Sequence, residues 1–426
     1  MSAPVSPSRR HFLKVLASSA GALVVGVPLL AAAGEPPLPL ALLGDDIYPL
    51  GPFVRIDVEG KVLIGASVPD TGTGVATALP RLIAEELDVD WRSVEVVALG
   101  LGVAAAGGKP QWLYGSQVGG TGQAVPAAWT ALRQAGAAAR WLLREAAARR
   151  LRVPAERLAT DAGSVIAPDG RRIGYGSLAA EAAKIALPAR PPALKPPTRW
   201  QLIGQGVGDV DARALVTGQA PFALDHQFAE SLTAVLARCP WADGTLDSLD
   251  QADALAVPGV EKIIVLRPEL GQPAGETLFA PAVAVLARDT WAALQGRAHL
   301  KLAWKPGPGG AESSHGFEQQ AFDSVFGQAA PTTRVRDQGD VEAAAKKAAR
   351  RVEASYVQPW LAHATGEPMN CLVRLEQDRA TLVVPTQAPQ RAWQVVSRLT
   401  GFAPERIEIR VPRVGGGYGR RLDHDF

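Results

Sequence analysis

The chain has 426 residues, of which 47% are hydrophobic and 20% are charged, and this balance is typical of folded protein of about two or three domains rather than of a disordered chain. A formal net charge of +2 gives no sign of a nucleic-acid-binding surface. The two cysteines, Cys239 and Cys371, are too few for an iron–sulfur cluster or a CxxC zinc site, and their spacing leaves open whether they form a disulfide.

The N-terminus has the pattern of an export signal. Arg9-Arg10 precedes a mildly apolar run from Val15 to Ala33, which glycines, serines and Pro28 interrupt, so the run is a poor membrane anchor. The sequence S-R-R-x-F-L-K resembles a bacterial twin-arginine signal, and an ordinary secretory signal is the alternative. We expect residues 1–33 to be a twin-arginine signal peptide, and the mature protein to reach the periplasm already folded.

A β-hairpin and two helices are predicted next, and a glycine-rich loop precedes each helix. Apolar and polar residues alternate around Glu59-Gly60, which is typical of a hairpin. PDTGTGVAT, at 69–77, leads into a helix with one apolar face, and a strand is predicted over 94–99. YGSQVGGTGQAV, at 114–125, leads into a long helix rich in alanine, leucine and arginine.

Proline-rich and glycine-rich stretches divide the rest of the chain. Five prolines in the eleven residues from Leu187 to Pro197 predict a stiff linker and a domain boundary. From Trp200 to Trp304, short strand patterns alternate with helical ones, which predicts a compact α/β domain. A second linker is predicted at 305–314. Strands and a helix closed by Gly401 are predicted in the last part of the chain.

Four motifs could bind an anion or a metal, but each is weak alone. Amides in the first two glycine loops, each before a helix, suit a phosphate, although plain turns are the alternative and no P-loop lysine follows. In VGGGYGRR, at 414–421, the glycines expose the backbone and Arg420-Arg421 can bind phosphate oxygens, with a surface loop as the alternative. In HATGEPMNC, His363 and Glu367 are four residues apart, but glycine and proline favour a loop without a third ligand, so no direct metal ligand is predicted.

Taken in order, these motifs resemble the molybdenum-binding subunit of the xanthine oxidase family, in the branch that contains the isoquinoline 1-oxidoreductase β-subunits. LPRLIAEELDVDW, VTGQAPFALD, HATGEPMNC and VGGGYGRR carry the resemblance, which covers essentially the whole mature chain. It implies an α+β fold in which an aldehyde oxidase/xanthine dehydrogenase α/β hammerhead domain occupies 200–304. Segments of the molybdopterin-binding domains would flank it, at 34–190 and at 315–426.

The resemblance also implies an activity and its cofactors. Proteins of this kind bind molybdenum on a molybdopterin, expected in the cytosine dinucleotide form. They oxidise aldehydes or hydroxylate aromatic N-heterocycles, with water as the oxygen source. Electrons would pass to a small partner subunit that carries [2Fe–2S] clusters, with a cytochrome c as a candidate further acceptor. The expected partners are thus an iron–sulfur subunit and a small aromatic or aldehyde substrate, with no nucleic acid and no stable membrane anchor.

Site residues follow from the same resemblance. The residues implied to contact the cofactor are Gly72, Thr73, Gly74, Gly115, Ser116, Gly119, Gly120, Thr121, Gln123, Gly416, Gly417, Tyr418, Gly419 and Arg420. Glu367 and Gln387 are implied to lie on the active-site side. Two positions depart from the family pattern, because Thr73 stands where glutamine is usual and Gly366 where a larger residue such as methionine is common.

The catalytic residue is left unassigned. Family members continue well beyond this glycine loop and carry a glutamate there that acts as general base. That glutamate is expected downstream of Phe426, so these 426 residues are expected to be inactive alone. The alternative is a non-catalytic half-subunit or cofactor-binding partner completed by a second polypeptide. An unrelated exported nucleotide-binding protein is disfavoured by the absent P-loop lysine and by the order of the motifs.

Overall fold

A computed structural model describes residues 47–49, 51–106, 109–241, 243–267, 280–311, 313–326, 336 and 338–425. The predicted signal peptide at 1–33 lies outside the described residues. The chain forms two compact units, one of residues up to Ser231 together with Ala364–Phe426, the other of Leu232–His363. Both combine helices and strands, which confirms the mixed α+β class. The second unit thus begins after Trp200 and extends beyond Trp304, and the assignment of a hammerhead domain stays a prediction.

The helices and strands have these bounds in the described part of the chain. The helices are α1 (Val75–Leu87), α2 (Ala124–Leu151), α3 (Tyr175–Ala182), α4 (Ala212–Val216), α5 (Ala252–Leu255), α6 (Thr290–Ala298), α7 (Ser314–Phe326), α8 (Val341–Lys347) and α9 (Pro389–Thr400). The strands are β1 (Ile47–Pro49), β2 (Val54–Asp57), β3 (Val62–Ala66), β4 (Val94–Ala98), β5 (Val103–Ala106), β6 (Lys109–Trp112), β7 (Ala159–Asp161), β8 (Ser164–Ile166), β9 (Arg172–Gly174), β10 (Thr233–Arg238), β11 (Thr245–Asp250), β12 (Val260–Leu266), β13 (Ala282–Ala287), β14 (Lys301–Lys305), β15 (Leu372–Leu375), β16 (Ala380–Val383) and β17 (Ile407–Arg410).

The first sheet of the larger unit has the strand order β1-β2-β3-β4. The predicted hairpin is the antiparallel pair β2–β3, and α1 is the crossover to the parallel strand β4. As its apolar periodicity predicts, α1 buries Leu79, Leu82, Ile83 and Leu87. Helix α2 packs closely on α1 at Gly136, where a Cβ would come 2.2 Å from a backbone oxygen of α1.

The predicted linker at 187–197 lies against α1 within the larger unit, so it is not where the two units divide. Lys195 Nζ lies 2.5 Å from Glu85 Oε1, and its backbone amide donates to the Glu86 carboxylate. Arg133 Nη2 also donates to Glu86, at 2.6 Å. Both glutamates are fully buried on the inner side of α1, and such charges are tolerated only when they are paired and hydrogen-bonded, as they are here.

The second sheet of the larger unit has the order β15-β16-β17, and α9 connects the parallel pair β16–β17. Gly401, with φ of 69°, ends α9 as predicted. Because the carboxyl ends of parallel strands meet at one edge of a sheet, the segment after β16 and the glycine loop after β17 begin side by side. This topology brings residues 386–390 to residues 414–422.

The smaller unit contains an antiparallel sheet of order β10-β13-β12 and a separate pair, β11–β14. The short strand patterns predicted between Trp200 and Trp304 are confirmed by β10, β12 and β13, which have the sequences TAVLAR, VEKIIVL and AVAVLA. Both cysteines are free in the structure, and burial raises the pKa of Cys371 to about 12. Among the described helices, none has the length and hydropathy needed to cross a bilayer.

Candidate cofactor site

Gln387 joins two of the predicted glycine loops. Its side-chain Nε2 donates to the carbonyl of Gly119 at 2.6 Å, and its Oε1 accepts from the amide of Gly419 at 3.2 Å. Its backbone accepts from Gly119 N at 2.8 Å and donates to the carbonyl of Arg421 at 3.0 Å. Gln387 is 3% exposed, so these hydrogen bonds are shielded from water and each is electrostatically stronger than it would be at the surface.

Two glycines leave just enough room for that amide. A Cβ on Gly120 would come 2.9 Å from Gln387 Nε2, and one on Gly417 would come 2.5 Å from Gln387 Oε1. The Cβ on Gly417 would also lie 3.0 Å from Thr71 Cγ2, and one on Gly119 would lie 2.4 Å from the carbonyl oxygen of Pro69. The structure therefore gathers the loops at 69–74, 118–122 and 414–421 around one buried side chain.

Beneath the last loop lies a buried pair, Glu367 and Arg421. Glu367 Oε2 accepts from the amide of Gly415 at 2.9 Å, and Oε1 accepts from Asn370 Nδ2 at 3.0 Å. Arg421 is fully buried; its Nε donates to Gly416 O at 2.7 Å and its Nη2 to Glu367 O at 2.6 Å. The Glu367 carboxylate, 3.6 Å away, offsets in part the burial that lowers the pKa of Arg421. Through these bonds, Glu367 and Arg421 hold the backbone of the loop at 414–421 in place.

The side chain of Arg420, the predicted cofactor contact, bonds to Asp425 and not to the backbone of the glycine loop. Its guanidinium forms two 2.7 Å bonds with the carboxylate of Asp425, which raise its pKa. Tyr418 is 73% exposed and has φ of 53°, a left-handed conformation that costs a non-glycine residue about 1 kcal/mol or more. Of the two adjacent arginines, it is Arg421 that lies under the glycine loop.

The first predicted loop, Gly72–Gly74, already has an internal acceptor. Asp70 Oδ1 accepts from the amides of Gly72, Thr73 and Gly74 at 2.8, 2.9 and 3.3 Å, and its Oδ2 accepts from Ala76 at 2.9 Å. A carboxylate at a helix N-terminus is stabilised by the same amides and dipole that would attract a phosphate. The role of these three residues in cofactor binding stays a prediction, and an added anion would compete with Asp70.

The loop before α2 differs in this respect. Gln123 precedes α2 without any side-chain cap, and no acceptor within the described ranges takes the amides of Gly120, Thr121 and Gly122. The same holds for the amides of Gly417 and Tyr418. These unpaired donors lie on two loops that Gln387 ties together, and we call the two loops, at 118–122 and 414–421, the cradle.

Gly115 and Ser116 line an open cleft next to this cradle. Gln390, in the first turn of α9, donates to Gly115 O at 2.8 Å and accepts from the amide of Gln117 at 3.1 Å. Trp112 and Gln394 line the same cleft. Gln390 lines this cleft, and Gln387, which contacts the two loops, lies three residues before it, just ahead of α9.

Sequence reasoning missed three residues that hold the site together. Asp70, Gln117 and Gln390 are not among the predicted site residues. Arg421 is predicted, together with Arg420, to bind phosphate oxygens, but it is not among the cofactor contacts that the resemblance implies. Of these residues, Asp70 has a signal in the sequence, because an aspartate shortly before a glycine turn and a helix predicts a helix cap. The buried amide bonds of Gln117 to Ser67 and Gly100 depend on packing that no local pattern reveals.

Two models of a molybdopterin cofactor-binding domain match the chain, one over residues 48–206 and the other over 326–425. Together they cover every loop of the cradle. Each match includes one or more of the loops that Gln387 connects.

Curated relatives match along nearly the whole chain. The beta subunit of isoquinoline 1-oxidoreductase from Brevundimonas diminuta is 30% identical, over 98% of this chain and 56% of its own length. One of the subunits of nicotinate dehydrogenase from Pseudomonas putida is 27% identical, over 88% of this chain and 30% of its own. A membrane-bound aldehyde dehydrogenase of Gluconacetobacter polyoxogenes is 27% identical, over 99% of this chain and 53% of its own. The chain therefore spans about half or less of the length of these relatives.

Solved structures match more weakly. Quinoline 2-oxidoreductase from Pseudomonas putida 86 has a TM-score of 0.37 and 22% identity, over 51% of this chain and 31% of its own. The aldehyde oxidoreductase from Desulfovibrio gigas has a TM-score of 0.34 and 15% identity, over 48% of this chain and 26% of its own.

On the two domain matches and the similarity along nearly its whole length, the chain belongs to the molybdenum-binding subunits of the xanthine oxidase family.

Proposed function

We propose that this chain is the cofactor-holding part of the large subunit of a molybdenum hydroxylase. The enzyme would oxidise an aldehyde or hydroxylate an aromatic N-heterocycle, with water as the oxygen source. The names of the curated relatives support both substrate classes. The observation that carries the proposal is the buried Gln387, which ties together two glycine loops. In each loop some amides have no acceptor among the described residues, those of Gly120–Gly122 in one and of Gly417-Tyr418 in the other.

The cradle fits an anionic, oxygen-rich cofactor. Backbone amides at Gly120–Gly122 and at Gly417-Tyr418 are neutral donors, and nests of this kind bind phosphate groups and carbonyl oxygens. Arg421 adds a buried positive charge below the second loop, and its Nη1 has no partner in the described part of the chain. A buried donor left without an acceptor costs about 1–3 kcal/mol, which an acceptor on a bound group would recover.

Each part of the cradle has a distinct task in this proposal. The amides of Gly120, Thr121 and Gly122, before α2, would bind the phosphates of the cytosine dinucleotide form. The amides of Gly417 and Tyr418 would face the pterin end, and Gln387 would hold the two loops in register. When bound, the molybdopterin supplies the redox-active metal for the hydroxylation; the chain's own part is to bind, orient and exclude water.

Electrons would leave to a small subunit with [2Fe–2S] clusters, and a cytochrome c is a candidate acceptor beyond it. This part rests on the family and on the presence of only two cysteines in the chain. Export to the periplasm by the twin-arginine route rests on the pattern around Arg9-Arg10 alone. Such export of folded protein would allow the cofactor to be inserted before transport.

Molybdenum and pterin content tests the proposal. The chain is co-expressed with an iron–sulfur subunit in a host that makes the cofactor, purified, and assayed for metal and for the oxidised pterin's fluorescence. Near one molybdenum and one pterin per chain supports the proposal. Absence of both from a folded chain contradicts it, and the half-subunit alternative would then be tested by adding the remaining part of a relative's sequence.

A further inference from the structure

The smaller unit contains a segment, residues 351–363, that belongs to no helix or strand. Of its backbone amides, only that of Trp360 has an acceptor among the described residues, Glu318 Oε1 at 3.0 Å. No donor of the described residues reaches its carbonyl oxygens. Backbone amides and carbonyls are obligatory hydrogen-bonding groups, so the segment offers an almost complete row of unused donors and acceptors.

The sequence of this segment nevertheless has the pattern of a strand. Val352, Ala354, Tyr356 and Trp360 are separated by two or four residues, so an extended backbone would place them on one face. A helix would also bring Val352, Tyr356 and Trp360 together, but Pro359 lies among them and disfavours a helix. Residues 352–361 are therefore suited to pair with an added strand, a recurring way in which proteins bind extended segments.

The apolar side chains of the segment are exposed, and so are those of the helix beside it. Tyr356 is 89% exposed and Trp360 is 72% exposed, and the Trp360 ring lies edge-on to Phe317 of α7, with 6.1 Å between ring centroids. Helix α7 buries none of its residues. These three aromatic side chains alone expose about 400 Å², the size of a patch that marks an interaction site. We call residues 352–361 and α7 the apolar surface.

The comparisons indicate what covers this surface. The match to a molybdopterin cofactor-binding domain over 326–425 includes residues 352–361, although in the structure they bury nothing within the smaller unit. The chain also matches two relatives along nearly all of its own length but along only 56% and 53% of theirs. A little under half of each relative therefore lies outside the match.

We propose that the apolar surface is the docking site for the part of the large subunit that this chain does not span. That part adds a β-strand along residues 352–361 and covers the exposed aromatic rings of Tyr356, Trp360 and Phe317. The inference rests on the proposed function, because it takes the large subunits of molybdenum hydroxylases as the template. It deepens that function by naming the surface at which the subunit is completed.

The probe is the part of the Brevundimonas diminuta isoquinoline 1-oxidoreductase beta subunit that lies outside the match. It is produced with an affinity tag in the same cells as the full chain and an iron–sulfur subunit. The wild-type chain should copurify with the tagged part. In hydrogen exchange followed by mass spectrometry, the amides of residues 352–361 should exchange about tenfold or more slowly in the complex than in the chain alone, because paired strand amides are protected.

Trp360→Asp and, as a second variant, Tyr356→Asp should each lower the copurified amount by about tenfold or more, as the loss of an aromatic anchor at the centre of an interface does. Both side chains are exposed, so neither change should alter the melting temperature of the chain alone. Trp291→Asp is the matched control, because Trp291 is 71% exposed in the same unit but lies on α6, outside the apolar surface. It should copurify as the wild type does.

The docking site is overturned if the wild type does not copurify, or if residues 352–361 exchange equally fast in the complex and in the chain alone. Wild-type recovery by both Trp360→Asp and Tyr356→Asp overturns it too. A chain that forms a dimer by itself, and that Trp360→Asp makes monomeric, would assign the surface to a second copy instead. Molybdenum and pterin are measured on the same samples: a complex without either contradicts the proposed function, whereas a loaded complex that both variants leave intact contradicts the docking site alone.

Discussion

Replacing Arg421 by methionine should destabilise the larger unit strongly. The change removes the donors to Gly416 O at 2.7 Å and Glu367 O at 2.6 Å, and it leaves the Glu367 carboxylate without its buried positive neighbour. Each lost bond from a charged donor costs about 1.5–3 kcal/mol, and breaking a buried pair by removing one partner typically costs about 3–5 kcal/mol. Because these effects overlap, we expect a total loss of about 3–5 kcal/mol in the free energy of unfolding.

The assay is urea unfolding followed by tryptophan fluorescence, with Arg420→Met as the matched control. Arg420 is the adjacent arginine, but its side chain is partly exposed and bonds to Asp425. Its loss should cost about 1 kcal/mol or less, as exposed ion pairs do. Equal losses from the two substitutions, or a larger loss from Arg420→Met, would refute the placement of Arg421 as the buried support of the glycine loop.

Three further predictions concern the same unit. Gly417→Ala should lower the melting temperature, because its Cβ would come 2.5 Å from Gln387 Oε1. Gly174→Ala is the control and should leave the melting temperature unchanged, because nothing lies within 4 Å of its Cβ. Equal melting temperatures of the two variants in calorimetry would contradict the close packing of Gly417 on Gln387. Asp70→Ala should cost about 1–2 kcal/mol in thermal unfolding, since four amides lose their acceptor, whereas Asp90→Ala, which caps only a short turn, should cost less. Burial raises the pKa of Glu85, but the bonds from Lys195 and the amides of residues 201–203 outweigh it and bring the pKa below its usual 4.5. The resulting stabilisation is full above pH 4.5 and is lost as the pH falls through the lower folded value, so the difference in unfolding free energy between wild type and Glu85→Gln should shrink as the pH is lowered below 4.5. A difference that is independent of pH in urea titrations would contradict this prediction.

Periodicity and turn chemistry predicted most of the fold. In α1 the spacing of Leu79, Leu82, Ile83 and Leu87 identifies both the helix and its buried face, because one stripe of the helix meets the core. Gly401 marks the end of α9 because a left-handed residue closes helices there. Such signals are local, and local signals are visible in a single sequence.

Long-range pairing was not predictable in the same way. Proline content in 187–197 indicates stiffness, but it does not show that Lys195 reaches two acidic side chains, Glu85 and Asp88. Likewise Arg420 and Arg421 are equivalent in sequence, and only the turn at Gly419 directs one to Asp425 and the other under the loop. The motif located the site, whereas the roles of its residues depend on the packing of three separate segments.

The most direct test of the account is the molybdenum retained by Gln387→Ala. Gln387 bonds to both glycine loops, whereas Gln319, the control position, lies on an exposed helix of the smaller unit and, among the described residues, its side chain bonds only to Asp323. Residues that orient a metal-binding group typically contribute about 10–100-fold to its affinity. After dialysis, Gln387→Ala should retain far less molybdenum per chain than the wild type, and Gln319→Ala should match the wild type. Equal retention by all three proteins would contradict the claim that the two loops hold the cofactor together.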